Sequence, residues 1–555
     1  MIPFRIRVGV TGHRQLSRSR ELEEAVVERI RRVHRLVTGE TEVRLAAVSQ
    51  LAEGADRLVV EAVFIAAAER GAEAHLEVVL PASRDVYPDL QGFSEESRAE
   101  FEELLDRAAV TSEPSDVRLD TEEERAAAYE SASRHLMARS DVLIALWDGA
   151  ESGGRGGTAE TLLDAAAGSK PCIWLSTEGE REVRDNLTPA SSERFYREVE
   201  QRATVLGESP WEKPEHPKEV LEPLRATYAM LDEFNRGALP EDFGSRLEEE
   251  LGSAEGMPEW VAPAFVRATL LARAAQRRFN SLSWLISGLA TSAAVALAIG
   301  LSFGVGSPVW AWAEAASLIA ALSALVAVRR SGFHRKWLSY RVLAERLRSA
   351  HFLAPTGADF RRHSRLEAAY LGESSEDWLM RAFEEVWDRR PRGSVEQLEP
   401  YAFEELKRWL ADEWIGSQIR YYEAAARRHR RRHRLMAAIV AALFLASVPF
   451  AFLHALADDV FAEDQVETAE HWATLMTIVL PAAGASLGAL LTINQHKAQS
   501  ERYARMIADL AVVRRTLLNA NPRTLPQASS EAARVVAQET GVWVGAMWFL
   551  DIEHP

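Results

Sequence analysis

The chain has 555 residues, a mean hydropathy of −0.16, a formal net charge of −17 and a single cysteine. That length accommodates about two to four domains, and the hydropathy makes most of the mass soluble. The acidic balance excludes a protein that grips nucleic acid over a broad basic surface, because such binding rests on phosphate neutralisation, and Cys172 alone makes neither an internal disulfide nor a zinc site, as suits a reducing cytoplasm.

No basic segment followed by an apolar one opens the chain, so no cleaved signal peptide is expected. Residues 4–10 alternate, then turn apolar, and break at Thr11-Gly12-His13-Arg14 before a helical stretch over 20–37. The unit repeats as strand 43–48, loop 49–54 and a helix to 68, then strand 75–80, Pro81 and helix 95–107. Helix 122–138, strand 141–147, a glycine-rich loop, helix 158–167 and strand 172–175 close it. Such alternation with apolar strand runs predicts an α/β domain over 1–180. Its Rossmann-like parallel sheet is wound on both faces, and its ligand site lies at the carboxyl ends of the strands.

Three loops fall at that edge. Thr11-Gly12-His13-Arg14 offers a hydroxyl, a flexible glycine and two possible cations. Residues 49–57, with Ser49, Glu53, Gly54, Ala55 and Asp56, lead into a helix whose free amides can face an anion. Gly153, Gly154, Gly156, Gly157, Thr158 and Glu160 surround another helix start, where backbone can approach a phosphate with no Cβ in the way. Each loop alone could be an ordinary tight turn; together they predict a phosphate cradle. Neither G-x-G-x-x-G nor the P-loop pattern is present, so hydride transfer and ATP hydrolysis have no motif.

Residues 181–264 are charged, polar and broken by prolines, and read as an irregular connector. An all-α membrane region with long cytoplasmic helices is expected to follow. Residues 282–305 carry no charge, and at about 1.5 Å per helical residue they match a hydrocarbon core of roughly 30 Å. Residues 309–328 carry one charge, Glu314, and a second hairpin is expected from 435–457 and 472–493. Buried core helices of a soluble domain are the competing reading, but four runs near twenty residues exceed the usual globular helix of about 11–12. The outer flanks are basic (Arg273, Arg277, Arg278; Arg329, Arg330; the run 427–434; Lys497, Arg502, Arg505), and the second loop carries Asp458, Asp459, Glu467 and Glu470. The positive-inside rule then places both termini in the cytoplasm of a multi-pass protein. Gly300/Gly304 and Gly484/Gly488 have the spacing for close helix contact, within the chain or between chains. Glu314 either lines a pore or reaches the outer interface or a polar neighbour.

The segments 8–14, 51–58, Val79-Leu80-Pro81 and 153–160 together resemble the SLOG superfamily, a Rossmann-like group. It includes phosphoribohydrolases of the lonely-guy type and sensor domains of antiphage systems that bind nucleotide-derived signals. This resemblance extends the expected ligand-binding set to Pro81, Trp147 and Asp148. It implies an ADP-ribose-like or cyclic-nucleotide ligand and no obligatory cofactor or metal. One departure stands out: the hydrolase pattern P-G-G-x-G-T-x-x-E puts an acid three residues after the threonine, where this chain has Thr161, and Glu160 is one position early. Around the hairpins, residues 335–348, 414–426 and 501–510 resemble the SLATT family of two-span effectors associated with SLOG sensors. Tandem modules over 265–400 and 401–555 are the expected result.

The two resemblances imply a sensor-effector of prokaryotic antiphage defence in the cell inner membrane. A nucleotide-derived signal would rearrange the hairpins of a homo-oligomer into a pore or lesion. The lipid bilayer, the small ligand and a signal-producing enzyme encoded nearby are the expected partners, and nucleic acid is not one. The competing expectation is a membrane-tethered N-glycosidase or phosphoribohydrolase acting on a nucleotide or NAD, with Glu160 as its carboxylate. A constitutive channel with a regulatory domain has the least sequence support.

Overall fold

The computed structural model describes residues 1–16, 18–113, 119–150, 156–177, 182–205, 219–237, 257–303, 307–358, 373–391, 395–456, 463–493 and 496–548. It divides into two compact units, one formed by 1–237 with 380–388 and the other by the remainder.

The first unit is α/β. Its strands are β1 (Phe4–Gly12), β2 (Val43–Ser49), β3 (His75–Val79), β4 (Val110–Ser112), β5 (Val142–Leu146), β6 (Cys172–Leu175) and β7 (Val183–Asp185). They form one sheet in the order β4-β3-β2-β1-β5-β6-β7, parallel throughout except for β7 against β6. Helices α1 (Arg20–Val33), α2 (Ala55–Ala68), α3 (Tyr87–Gln91), α4 (Glu95–Asp106), α5 (Glu122–Arg139) and α6 (Thr158–Ala167) make the crossovers, and α7 (Pro189–Val205) and α8 (Glu222–Arg236) follow. Local chemistry sets several boundaries. Ser19 accepts from the Leu22 amide to cap α1, and Thr121 with Glu124 forms a capping box on α5.

The unit extends past residue 180, into what reads as connector. Helix α8 is strapped to the start of the sheet by its polar side chains. Asn235 Oδ1 accepts from the Ile2 amide (3.1 Å), Asp232 Oδ1 accepts from the Thr41 amide (2.8 Å), and the Tyr228 hydroxyl donates to the Thr41 carbonyl (3.0 Å). Residues that look solvated in the sequence thus serve the backbone groups of β1 and the turn before β2.

On β1, Phe4, Ile6, Val8 and Val10 point to one apolar face, while Arg5 and Arg7 are buried on the other. A charge network surrounds them. The Arg7 Nε donates to Glu77 Oε1 (2.8 Å), and Arg139 reaches the other Glu77 oxygen (2.6 Å). Residues 380–388, the last turns of α12 (Glu373–Trp387) and the residue that follows it, supply the rest. Arg381 Nη1 donates to Asp141 Oδ2 (2.8 Å), Arg5 pairs with Glu385 (2.6 Å) and Asp388 (2.9 Å), and Arg7 pairs with Glu384. Buried pairs of this kind contribute little net stability, but stranding one member leaves an uncompensated charge.

The second unit is helical: α9 (Ala262–Ser302), α10 (Pro308–Ser331), α11 (Phe333–Leu353), α13 (Pro400–Trp409), a π-helical stretch Leu410–Gly416, α14 (Ser417–Ala455), α15 (Glu463–Ile493), α16 (His496–Asn519) and α17 (Leu525–Trp548). Among the described residues, four helices are long and apolar enough to cross a membrane. Burial separates spans from core helices. The most apolar window of the third such helix is 0% buried, and Trp312, Ile319 and Leu445 are 74%, 65% and 72% exposed. Apolar windows of soluble core helices would be covered; these face outward, as lipid-facing surfaces do, and the chain is a membrane protein on that ground. Helices α9 and α10 form one hairpin and α14 and α15 the other, and α9 also packs on α15, where Thr291 Oγ1 donates to Ser486 Oγ (2.9 Å). Gly300 lies against Trp310 and Gly484 against Phe444, contacts within each hairpin, whereas Gly488 is open. Glu314 is half-buried on α10. Gly304, Asp458 and Asp459 lie outside the described residues.

Replacing Arg381 with Met strands the Asp141 carboxylate. The expected loss is about 3–5 kcal/mol, read as a lowered first thermal transition of the detergent-solubilised chain, with partial recovery when Asp141→Leu is added. An unchanged transition would show that the network carries no strain on losing a member.

Candidate functional site

The sheet order places a topological switch point between β1 and β5, because the chain builds outward from β1 through β2, β3 and β4 and then crosses to β5 on the opposite side. Ligands of doubly wound sheets bind outside the carboxyl ends of the strands at such a point. The loops after β1 and β5 meet there. His13 Nε2 stands 3.0 Å from Asp148 Oδ1 and 3.1 Å from the Asp148 amide. One ring nitrogen cannot serve both: protonated, it donates to the carboxylate, and neutral, it accepts from the amide. Burial alone would raise the Asp148 pKa, but the Ala150 amide and His13 outweigh it and hold the carboxyl below its ordinary range.

The loop after β2 is locked to the loop after β1. The Ala55 amide donates to the His13 carbonyl (3.0 Å). Gly54 has φ +75°, and a Cβ there would stand 2.3 Å from the Arg14 carbonyl oxygen, so only glycine fits. Beneath this, Asp56 accepts from the Ser49 hydroxyl (2.8 Å) and the Gln50 amide (2.9 Å). Burial pushes the Asp56 carboxyl up to about 6 despite those bonds. Ser49 and Asp56 therefore shape the loop from inside.

The third loop is tied in through α5. Gln50 Nε2 donates to Ser133 Oγ (3.2 Å), and that hydroxyl donates to the Gly156 carbonyl (3.1 Å). Glu160 accepts from the Gly156 amide (2.5 Å), so its carboxylate braces the turn into α6. Gly157 is the N-cap of α6 and Thr158 its first residue, both half-exposed. Gly153, Gly154 and Arg155 lie outside the described residues.

Of the expected set, Thr11, Gly12, His13, Arg14, Glu53, Gly54, Ala55 and Asp148 are brought together, and Gly156, Gly157, Thr158 and Glu160 join them through the Gln50–Ser133 link. Trp147 instead sits in the core at 1% exposure, its indole N–H donating to the Ala150 carbonyl (3.0 Å), and Pro81 is buried.

Groups not singled out in the sequence complete the edge. Arg14 donates to the Gln91 carbonyl (2.5 Å), and Gln91 Nε2 bonds the Tyr129 hydroxyl. The Tyr87 hydroxyl and Gln91 Oε1 are buried with no hydrogen-bond partner among the described residues. An orphaned polar atom costs roughly 1–3 kcal/mol and points to a partner such as water or ligand. From α7, the Arg202 guanidinium lies against Gly149 and lines a cavity of about 630 Å³ with Arg184, Arg194, Arg197 and Glu198, where Glu182, Glu193 and Glu198 pair with the other arginines. Among the described residues no group of three or more His, Cys, Asp or Glu side chains could hold a metal ion.

No family model, curated protein or solved structure matches this chain.

A buried group, Asp56, and a half-buried one, His75, make opposing contributions to acid stability. Asp56 ionises near 4 when unfolded, so between about pH 4 and 6 the folded chain binds the extra proton and stability falls as pH rises. His75 is pushed down to about 4 by burial and by Arg5, so the unfolded chain binds the extra proton up to about pH 6.5 and stability rises with pH. Thermal unfolding between pH 4 and 6 should therefore show Asp56→Asn gaining stability with rising pH relative to the parent, by up to about 1.4 kcal/mol per pH unit. His75→Gln should show the reverse slope. Parallel profiles for all three proteins would contradict this assignment.

Proposed function

We propose that the chain is a membrane-embedded sensor-effector. A nucleotide-derived anion, of ADP-ribose-like or cyclic-nucleotide class, binds at the β1/β5 edge and drives the two hairpins of a homo-oligomer to rearrange into a pore or lesion. The setting is antiphage defence at the cell inner membrane, with both termini cytoplasmic. One observation carries the reading. Among the described residues, which include four membrane-length helices, His13, Arg14 and the α6 N-terminus converge at a switch point where the buried Tyr87 hydroxyl and the Gln91 side-chain Oε1 have no hydrogen-bond partner.

The physical requirement is differential affinity. A ligand shifts the hairpins only by as much as it prefers the active arrangement. Helix α12 offers a covalent route, since residues 373–379 belong to the unit holding the hairpins and 380–388 to the unit holding the strand edge. The Glu160 carboxylate is engaged by the Gly156 amide, and no observation favours the glycosidase reading over this one.

Calorimetric titration of the detergent-solubilised chain with ADP-ribose and with 3′,5′-cyclic AMP should detect binding of one of them, weakened at least tenfold by His13→Ala with Arg14→Ala. The same ligand should release dye from liposomes holding the reconstituted chain. Liposomes that stay intact with every ligand would overturn the effector reading, and base release from NAD would replace it with the enzyme.

A further inference from the structure

The basic flanks of the spans look alike in the sequence, and the packing of the helical unit separates them. At the root of the first hairpin, cations are turned onto the protein. The Arg278 guanidinium and the Lys336 ammonium lie 5.5 Å and 6.0 Å from the centre of one ring, Phe333, and Arg273 and Arg329 have contacts of their own. The root of the second hairpin is laid out differently. Arg427, Arg428, Arg430, Arg431, Arg432 and Arg434 are all exposed, and among the described residues the one ion pair that any of them makes is Arg427 with Glu423, at 3.9 Å.

Helix α14 carries this run without a break. Successive residues turn by about 100°, so these arginines fan over about 200° of the helix, and His429 and His433 fall in the sector left between them. That sector is where α16 packs. The His429 ring meets the Tyr503 ring at 5.7 Å, and a turn earlier Ser500 Oγ donates to the Ala426 carbonyl (3.2 Å). Protein covers the histidine side, and the guanidinia are held on the other. The run ends where the lipid-facing surface begins: Leu435, next after Arg434, is 60% exposed, and Leu445 farther along is 72% exposed. From Arg427 to Arg434 the helix rises about 10 Å, and headgroups occupy about 5–8 Å on each side of the hydrocarbon core, so the guanidinia lie at phosphate level.

We infer that the outward arginine face of α14 is a binding site for anionic phospholipid headgroups, and that it, rather than the root of the first hairpin, gives the chain its preference for them. A guanidinium takes a phosphate through two parallel N–H bonds, and a headgroup with no cation of its own leaves that phosphate unneutralised. Clusters of four to eight basic residues at the end of a span attract anionic lipid in this way. A soluble polyanion would meet the same charges, but the net charge of −17 repels it from the rest of the surface, whereas the bilayer delivers phosphates to this level directly. The inference needs the membrane embedding alone and no ligand at the strand edge.

The test is native mass spectrometry of the full detergent-solubilised chain, titrated with phosphatidylglycerol and with phosphatidylcholine of the same acyl chains. Phosphatidylglycerol should bind at least about tenfold more tightly. Arg430→Gln, Arg431→Gln, Arg432→Gln and Arg434→Gln together should bring the two lipids to within about threefold of each other, while the same four positions changed to Lys keep at least about a fivefold preference. Arg277→Gln, Arg278→Gln, Arg330→Gln and Arg335→Gln together should leave the preference within about twofold of the parent. Circular dichroism matching the parent, with the Lys set, keeps a loss from being misfolding. Equal binding of the two lipids by the parent, an unchanged preference in the α14 Gln set, a Lys set no better than that Gln set, or an equal loss from the first hairpin's arginines would overturn the site. Displacement of bound phosphatidylglycerol by equimolar tripolyphosphate would overturn the lipid assignment and give the face to a soluble polyanion.

Discussion

The ion pairs that Arg5, Arg7, Asp141 and Glu77 make beneath the sheet are the constraint on which the architecture depends. Four guanidinia and their carboxylates are taken out of water at the amino half of β1, where an apolar filling would serve stability as well or better. What the charges add is selectivity. Arg381, Glu384, Glu385 and Asp388 can occupy that surface in one register only, because every shift along the helix leaves a buried charge unmatched. A segment nearly two hundred residues downstream of the sheet is thereby specified as part of the N-terminal fold.

The opposite edge of the same sheet is organised by hydrogen bonds to backbone amides, carbonyls and hydroxyls. Asp56 and Ser49 hold the loop after β2 from within, Gly54 lets it approach the loop after β1, and Ser133 carries the linkage to the turn at Gly156. The result is a ring of half-exposed donors around His13 and Asp148 whose supports are already satisfied. Among the described residues Tyr87 and Gln91 keep unused capacity, and they sit where the Arg14 side chain crosses from one loop to the next. A preformed edge with a few unsaturated groups suits a binding site, since little ordering is left for the ligand to bring about.

Much of this is legible in the amino-acid sequence, for identifiable reasons. Strands buried on both faces read as apolar runs, so 172–175 and the helix at 158–167 coincide with observed elements, and the four spans are set by length and lack of charge. Three-residue strands such as Val110–Ser112 and Val183–Asp185 have no period to detect. The polar residues of α8 look solvated because their backbone partners at Ile2 and Thr41 are distant in the chain. The same holds for Glu384 and Glu385, whose charge suggests a wet face until Arg5 and Arg7 are known to lie opposite. At the site, the loops were legible as loops, but which side chains face outward was not: Trp147 and Asp56 turn in, whereas Gln91 and Arg202 arrive from α3 and α7.

Strand edge and lipid-facing helices are thus parts of one chain, joined by a helix whose two halves belong to different units. Hydrogen–deuterium exchange on the full chain in nanodiscs, with and without ADP-ribose or 3′,5′-cyclic AMP, bears most directly on whether they work together. The account predicts slower exchange at 11–14 and 49–56 together with an altered rate across 380–388 on binding. Protection confined to the loops, with 380–388 unchanged, would contradict it.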